Sequence, residues 1–272
     1  MLLPSRFVIF IFIIPTAIFL FLGWEKEQEY AAFAIPFILL AAAAFSLSPQ
    51  IDWWWYKRHP PDLDAPVKKF LAVMFPFFNR LNESEKQIFC QRTALGLLAT
   101  DFIVPSGDAD KKIPEDLKAL LVAHAVMMSW DKENYLMDSY EKVVVYAKLF
   151  PSPAHPTHLH AAESNAEDGV ALFATERMLQ ALMEPDKVFN PVAYEYAKIF
   201  MRHYQVEDFA LEENIWEIIE GIGGLDKNTI EEHLGLPEPD AAAILLSYAR
   251  LFPQQFNLHE PELYEVVSAR LK

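Results

Sequence analysis

Residues 7–22, FVIFIFIIPTAIFLFL, and residues 30–47, YAAFAIPFILLAAAAFSL, decide how this chain is partitioned. Each run is apolar on every helical face, not along one stripe, and each approaches the roughly 20 residues that cross a hydrocarbon core. A cleaved leader would account for the first run and leave the second unexplained. The pair therefore predicts a two-helix transmembrane hairpin, with spans at about 7–23 and 30–47 inside residues 1–51. The turn between them, WEKEQE at 24–29, holds one Lys against three Glu. Arg6 precedes the first span, and Lys57, Arg58, Lys68 and Lys69 follow the second behind the aromatic belt Trp53-Trp54-Trp55-Tyr56. This Lys/Arg bias predicts cytoplasmic N- and C-termini in a multi-pass protein of the cell inner membrane. No ionisable side chain lies between Phe7 and Leu22 or between Ala31 and Leu47, which argues against transport or proton relay.

Beyond residue 51 the chain has 21 basic and 35 acidic side chains, part of a formal charge of −15 over 272 residues. Such an acid excess excludes nucleic acid as a partner, because neutralising phosphates needs clustered Lys and Arg. With 53% hydrophobic and 14% aromatic residues, disorder is excluded too. Cys90 is the single cysteine, so neither an intrachain disulfide nor a cysteine zinc cluster can form.

Residues 52–80, containing His59-Pro60-Pro61 and Pro66, read as a juxtamembrane linker. Residues 81–272 read as one mainly α domain, of about five to seven helices and a small sheet. Asn82-Glu83-Ser84-Glu85 starts a helix running to Thr100, with Cys90 as a small buried hydrophobe. Ser106-Gly107-Asp108 marks a turn, and Pro114 opens a helix reaching Ser129. Val143-Val144-Val145-Tyr146 is the best strand candidate, and 150–163 reads as a loop rich in Pro and His. Further helices are predicted over 169–183, 192–204, 207–220, 240–252 and 260–271. Gly221–Gly224 reads as a helix terminator, since no strand precedes it to make a phosphate loop.

Two groups of side chains attract attention. His155, His158 and His160 sit on a loop, where they could converge on one zinc ion and leave a position for water. Against this stands a solvated, His-rich turn. His124 lies on an apolar helix face, where a satisfied core histidine is the simpler reading. Glu163, Glu167 and Asp168 are expected to complement the N-terminal dipole of a helix starting at Gly169.

Residues 75–151 resemble the amino-terminal half of the MtfA (Mlc titration factor A) type zinc peptidases. The resemblance lies in the helix after Leu81-Asn82-Glu83-Ser84-Glu85, the run Lys112-Ile113-Pro114-Glu115-Asp116-Leu117-Lys118, the helix with Leu121-Val122-Ala123-His124-Ala125, and the Val143–Tyr146 strand before Phe150-Pro151. Leu251-Phe252-Pro253 through Pro261-Glu262-Leu263-Tyr264 resembles the family's carboxyl end. The resemblance implies an α+β, zincin-like domain. It also implies a His-Glu-x-x-His helix, two histidines holding zinc, the glutamate polarising water, and a further carboxylate from a later helix. No His-Glu-x-x-His occurs anywhere in the chain. Placed on residues 169–179, the motif would have Phe173 and Arg177 at the ligand positions, Ala174 at the glutamate position and Glu176 beside them. Tyr248 would replace the later carboxylate. These five residues are expected to form a degenerate cleft with no catalytic residue and no cofactor. The resulting expectation is a membrane-anchored, non-catalytic relative of these peptidases that binds a protein or peptide, through a hairpin seated in the lipid bilayer. In the resembling family one partner type is a transcriptional repressor of sugar transport. The alternatives are a zinc hydrolase built on His155, His158 and His160, or a structural subunit of a membrane complex.

Overall fold

The computed structural model describes residues 4–105, 112–207 and 209–272, and the chain divides into two compact units, Met1–Pro61 and Asp62–Lys272. The turn expected at Ser106-Gly107-Asp108 lies outside the described residues.

The first unit is an all-helical hairpin. Helix α1 (Pro4–Glu25) is antiparallel to α2 (Glu29–Ala32) and α3 (Ala34–Ser46), and α4 (Ser48–Arg58) follows after Leu47 alone. At 1.5 Å per residue, α1 is about 33 Å long, enough for a hydrocarbon core of roughly 30 Å. Pro4–Glu25 and the combined stretch Glu29–Ser46 are both long and apolar enough to cross a membrane, and almost none of their surface is buried. The two arms touch through small and aromatic residues. Ala34 and Ala44 are buried, and the Phe19 ring stacks on Phe37 at 5.7 Å. A Cβ on Gly23 would meet Ala31, so glycine permits the close approach at the tip. At the open end, Asp52 of α4 accepts hydrogen bonds from the Ser5 backbone N–H and from Ser5 Oγ, both at 2.8 Å. The carboxylate thus caps α1 from another helix and complements its N-terminal dipole. The segment read as a linker from residue 52 is helical as far as Arg58, where Lys57 and Arg58 lie over the Trp53 and Trp54 rings.

The second unit begins with α5 (Ala65–Met74) and α6 (Pro76–Arg80). Pro66 and Pro76 open these helices and do not break them, because the first turn needs no N–H from its own chain. Helix α7 (Glu83–Ala99) starts on the expected residues: Asn82 and Glu85 form a reciprocal capping box. Strand β1 (Asp101–Ile103) leads to α8 (Glu115–Met128), which packs on α7 where Gly96 leaves room for Val122. Strands β2 (Lys142–Tyr146), β3 (Ala162–Asn165) and β4 (Val170–Ala174) complete a sheet of order β1-β2-β4-β3. The pairs β1–β2 and β2–β4 are parallel, and β3 runs antiparallel to β4 at the edge. Helices α9 (Thr175–Met183), α10 (Pro191–His203), α11 (Ile215–Gly223), α12 (Lys227–Leu234), α13 (Ala241–Leu251), α14 (Pro253–His259) and α15 (Pro261–Leu271) follow. The domain is mostly helical with a small mixed sheet.

Three expectations change here. Residues 169–183 are not one helix: Val170–Ala174 is a central strand between β2 and β3, and helix begins only at Thr175. The 150–163 loop contains a bridge between Phe150 and His160 and then enters β3. The helix predicted over 207–220 starts at Ile215, and its end is as expected, with Gly224 in the left-handed region at φ 74°. One core runs beneath the sheet, built on Phe89, Leu120, Met127, Phe173, Phe200 and Leu245, with Cys90 inside it.

Candidate functional site

Helix α10 crosses the core between α8 and α13 and reaches the edge strand β3. Its start is fixed by Asn190, whose Oδ1 accepts from the Val192 and Ala193 backbone N–H groups at 3.1 and 3.0 Å, and by Pro191 in the first turn. Asn190 is oriented in turn by His124. The His124 Nε2 accepts from Asn190 Nδ2 at 3.1 Å, and Nδ1–H donates to the Leu120 carbonyl at 2.7 Å. These partners assign the tautomer. Full burial pushes the His124 imidazole down to about 4, so it is neutral near pH 7. His124 is a satisfied core histidine that locks a helix start.

One turn into α10, Glu195 carries a carboxylate that is 1% exposed. Ser164 Oγ of β3 donates to Glu195 Oε1 at 2.5 Å, and Lys198 Nζ donates to Oε2 at 3.0 Å. Arg202 donates to Ser164 Oγ at 3.0 Å, and the Lys198 ammonium lies 5.4 Å from the centroid of the Tyr194 ring. The Tyr194 hydroxyl accepts from the Asp240 N–H at 3.0 Å, tying α10 to the start of α13. Burial holds the Tyr194 and Tyr196 phenols well above the ordinary range, so both stay neutral. Two cations and two carboxylate oxygens thus meet at the sheet edge in a closed network. The Glu195 carboxylate is compensated by Lys198 and hydrogen-bonded by Ser164.

The five residues expected to form a cleft occupy four different surroundings. Phe173 is fully buried in the main core, 5.0 Å from the Tyr196 ring, and Ala174 packs with Phe150 and Ala161 in a separate small cluster. Because Phe173 lies on β4 and Arg177 in α9, the two are not one helical turn apart. Glu176 and Arg177 line a groove with Lys148, Leu149, Leu159 and Gln180. Tyr248 lines a different cavity and packs its hydroxyl, which has no hydrogen-bond partner among the described residues, on Gly223.

Of the three loop histidines two come together, the His155 and His160 rings lying 5.6 Å apart edge to face. His160 is fully buried, with Nε2 at 3.0 Å from Glu163 Oε2 and Nδ1 at 3.1 Å from the His158 carbonyl. His158 turns to Thr157. Among the described residues no group of three His, Cys, Asp or Glu side chains is placed to hold a metal ion. Glu163 lies on β3, while Glu167 and Asp168 lie in the β3–β4 turn organised by Asn165, so none of the three caps a helix at Gly169.

A separate cavity has a volume of about 380 Å³, as does the groove at Glu176 and Arg177. Phe75, Phe77, Met127, Leu182, Phe189 and Phe252 supply apolar walls, and Arg80, Asp186, Gln254 and Gln255 are the polar groups where it opens. Its walls come from five segments far apart in sequence, so no local pattern announces it. Glu195 did leave a signal: a glutamate between two tyrosines on the apolar face of a helix, with lysine three residues on, has to find a buried partner.

No protein-family model matches the chain, no curated protein matches it, and no solved structure matches it.

Proposed function

We propose that this chain is a membrane-anchored, non-catalytic binding protein whose Asp62–Lys272 unit receives an extended protein or peptide segment along the outer edge of β3. The observation that carries this reading is the closed Ser164–Glu195–Lys198 network beside a strand that has a single neighbour among the described residues. An unpaired edge offers backbone N–H and C=O groups to an added strand. The adjoining Glu163, Glu167 and Asp168 favour a basic segment. The network speaks against hydrolysis in the manner of the MtfA-type peptidases, which this chain resembles in sequence. Residues 194–198, Tyr-Glu-Tyr-Ala-Lys, have the spacing of His-Glu-x-x-His with neither histidine. A neutral, buried phenol and an ammonium replace the two imidazoles. The ammonium has no lone pair to give a zinc ion and opposes its charge. In this account the protein is a relative of those peptidases whose catalytic glutamate has become a structural one. In this reading it resides in the inner membrane as a multi-pass protein with both termini cytoplasmic, a placement that the Lys/Arg bias favours.

The test is a library of basic, extended peptides offered to the full chain in nanodiscs, with amide hydrogen exchange as readout. Binding should slow exchange at residues 162–165, and N-methylation of alternate peptide amides should abolish it. Tight peptide binding with unchanged exchange at β3 would refute strand addition.

A further inference from the structure

The apolar cavity lies outside the β3 network and calls for an occupant of its own. A cavity of 150 Å³ lined by apolar side chains is known to hold benzene, so about 380 Å³ has room for roughly fifteen carbon-sized atoms. That exceeds what the largest amino-acid side chain brings, and it matches one medium-length hydrocarbon chain. The walls are apolar: Phe75, Met127 and Phe189 line the cavity and are each at most 2% exposed. At the opening stands Arg80. Its guanidinium donates to the Leu251 carbonyl at 2.9 Å and to the Arg250 carbonyl, which leaves further N–H donors. No carboxylate lies within 4.0 Å of Arg80 among the described residues, whereas the neighbouring Arg250 is paired with Asp131 at 2.8 Å. In a domain rich in acid, this is a guanidinium with no ion pair among the described residues, at the mouth of an apolar hole. The chain's first unit, apolar enough to sit in a bilayer, keeps it among amphiphiles.

We propose that the cavity seats the hydrocarbon chain of a single-chain anionic amphiphile, with the anionic head group on Arg80. Asp186, at the same opening, keeps this affinity moderate by repelling the head group. Binding is non-covalent and independent of the peptide reading above.

The experiment uses the full chain in nanodiscs and a saturated fatty acid carrying a terminal diazirine, with cross-links mapped by peptide mass spectrometry. Label is expected in residues 75–80, 182–190 and 251–255, over a background in residues 4–58. Leu182→Trp, or Leu225→Phe if that variant does not fold, should remove the first set and leave the background. Arg80→Gln should weaken labelling by an anionic probe on the order of tenfold or more, with little effect on the matching fatty alcohol. Asp186→Asn should strengthen it. Unlabelled competitors should improve about fourfold per added methylene until the chain reaches about fourteen carbons, then level off. Competition by myristate identifies a free acid as the source, and competition by lysophosphatidylglycerol a membrane lipid. The proposal is overturned by label confined to residues 4–58, by label that the filling variants do not lower, or by failure of both competitors.

Discussion

Acidification should unlock the start of α10 through His124, and the size of the effect follows from one buried ring. The imidazole is pushed from an ordinary 6.5 down to about 4 by burial. Above pH 6.5 it is neutral in both folded and unfolded chains and costs nothing. As pH falls, the unfolded chain takes up the proton first, so stability is lost from pH 6.5 down to about 4. Two and a half pK units correspond to about 3 kcal/mol in total, of which about 2.5 kcal/mol is gone by pH 4.5. Protonation at Nε2 also replaces the acceptor facing Asn190 Nδ2 with a donor, so the residue that caps α10 loses its anchor. The comparison is between the native chain and His124→Leu. The variant should be less stable at pH 7.5 by roughly 1–3 kcal/mol, since Asn190 Nδ2 is orphaned. It should then lose about 2.5 kcal/mol less than the native chain on going to pH 4.5. Urea unfolding of the full chain in nanodiscs, followed by hydrogen exchange of α8 and α10 peptides, reads both numbers. Parallel stability curves for the two proteins between pH 6.5 and 4.5 would refute the neutral, core-locked histidine.

Other perturbations probe the rest of the framework. Glu195→Ala should cost about 3–5 kcal/mol by stranding the Lys198 ammonium against the core; adding Lys198→Met should recover part of that loss, and additive effects in the double-mutant cycle would mean the two side chains do not interact. Gly235 adopts φ 77° with the Leu159 carbonyl where a Cβ would stand, so Gly235→Ala should lower Tm by about 5–15 °C, and an unchanged Tm would count against the close packing of α12 on the strand leading into β3. Asp52→Ala should loosen the open end of the hairpin by about 1–2 kcal/mol, seen as a broadened spin-label distance between residues 6 and 53; an unchanged distance distribution would mean the cap is dispensable.

What could be read from the sequence was whatever local chemistry determines. The hairpin was legible because helices apolar on all sides need no tertiary context. The start of α7 was legible because Asn82 and Glu85 satisfy each other's backbone, and α10, α13 and α15 followed from amphipathic periodicity. The central sheet was not. Val170-Ala171-Leu172-Phe173-Ala174 is apolar at every position although Val170 and Leu172 are only partly buried, so its sequence lacks the alternation of a half-exposed strand and reads like buried helix. Ala162-Glu163-Ser164-Asn165 has little strand propensity and is extended because β4 pairs with it. That misreading displaced the candidate site: with β4 taken for a helix, the motif spacing fell on Phe173 and Arg177, and the buried glutamate one helix later went unnoticed. The linker was overdrawn for a simpler reason. Proline was taken as a stop at Pro66, although it occupies the first turn of α5.

The account stands on the claim that the Lys198 ammonium, with Ser164, takes the place of a metal at Glu195. The most direct measurement is the zinc content of the full chain, purified without chelator, together with its melting temperature before and after chelation. Far less than one zinc per chain, with an unchanged Tm, is the predicted result. One tightly held zinc per chain, lost on chelation with a fall in Tm and restored by Glu195-dependent rebinding, would contradict it.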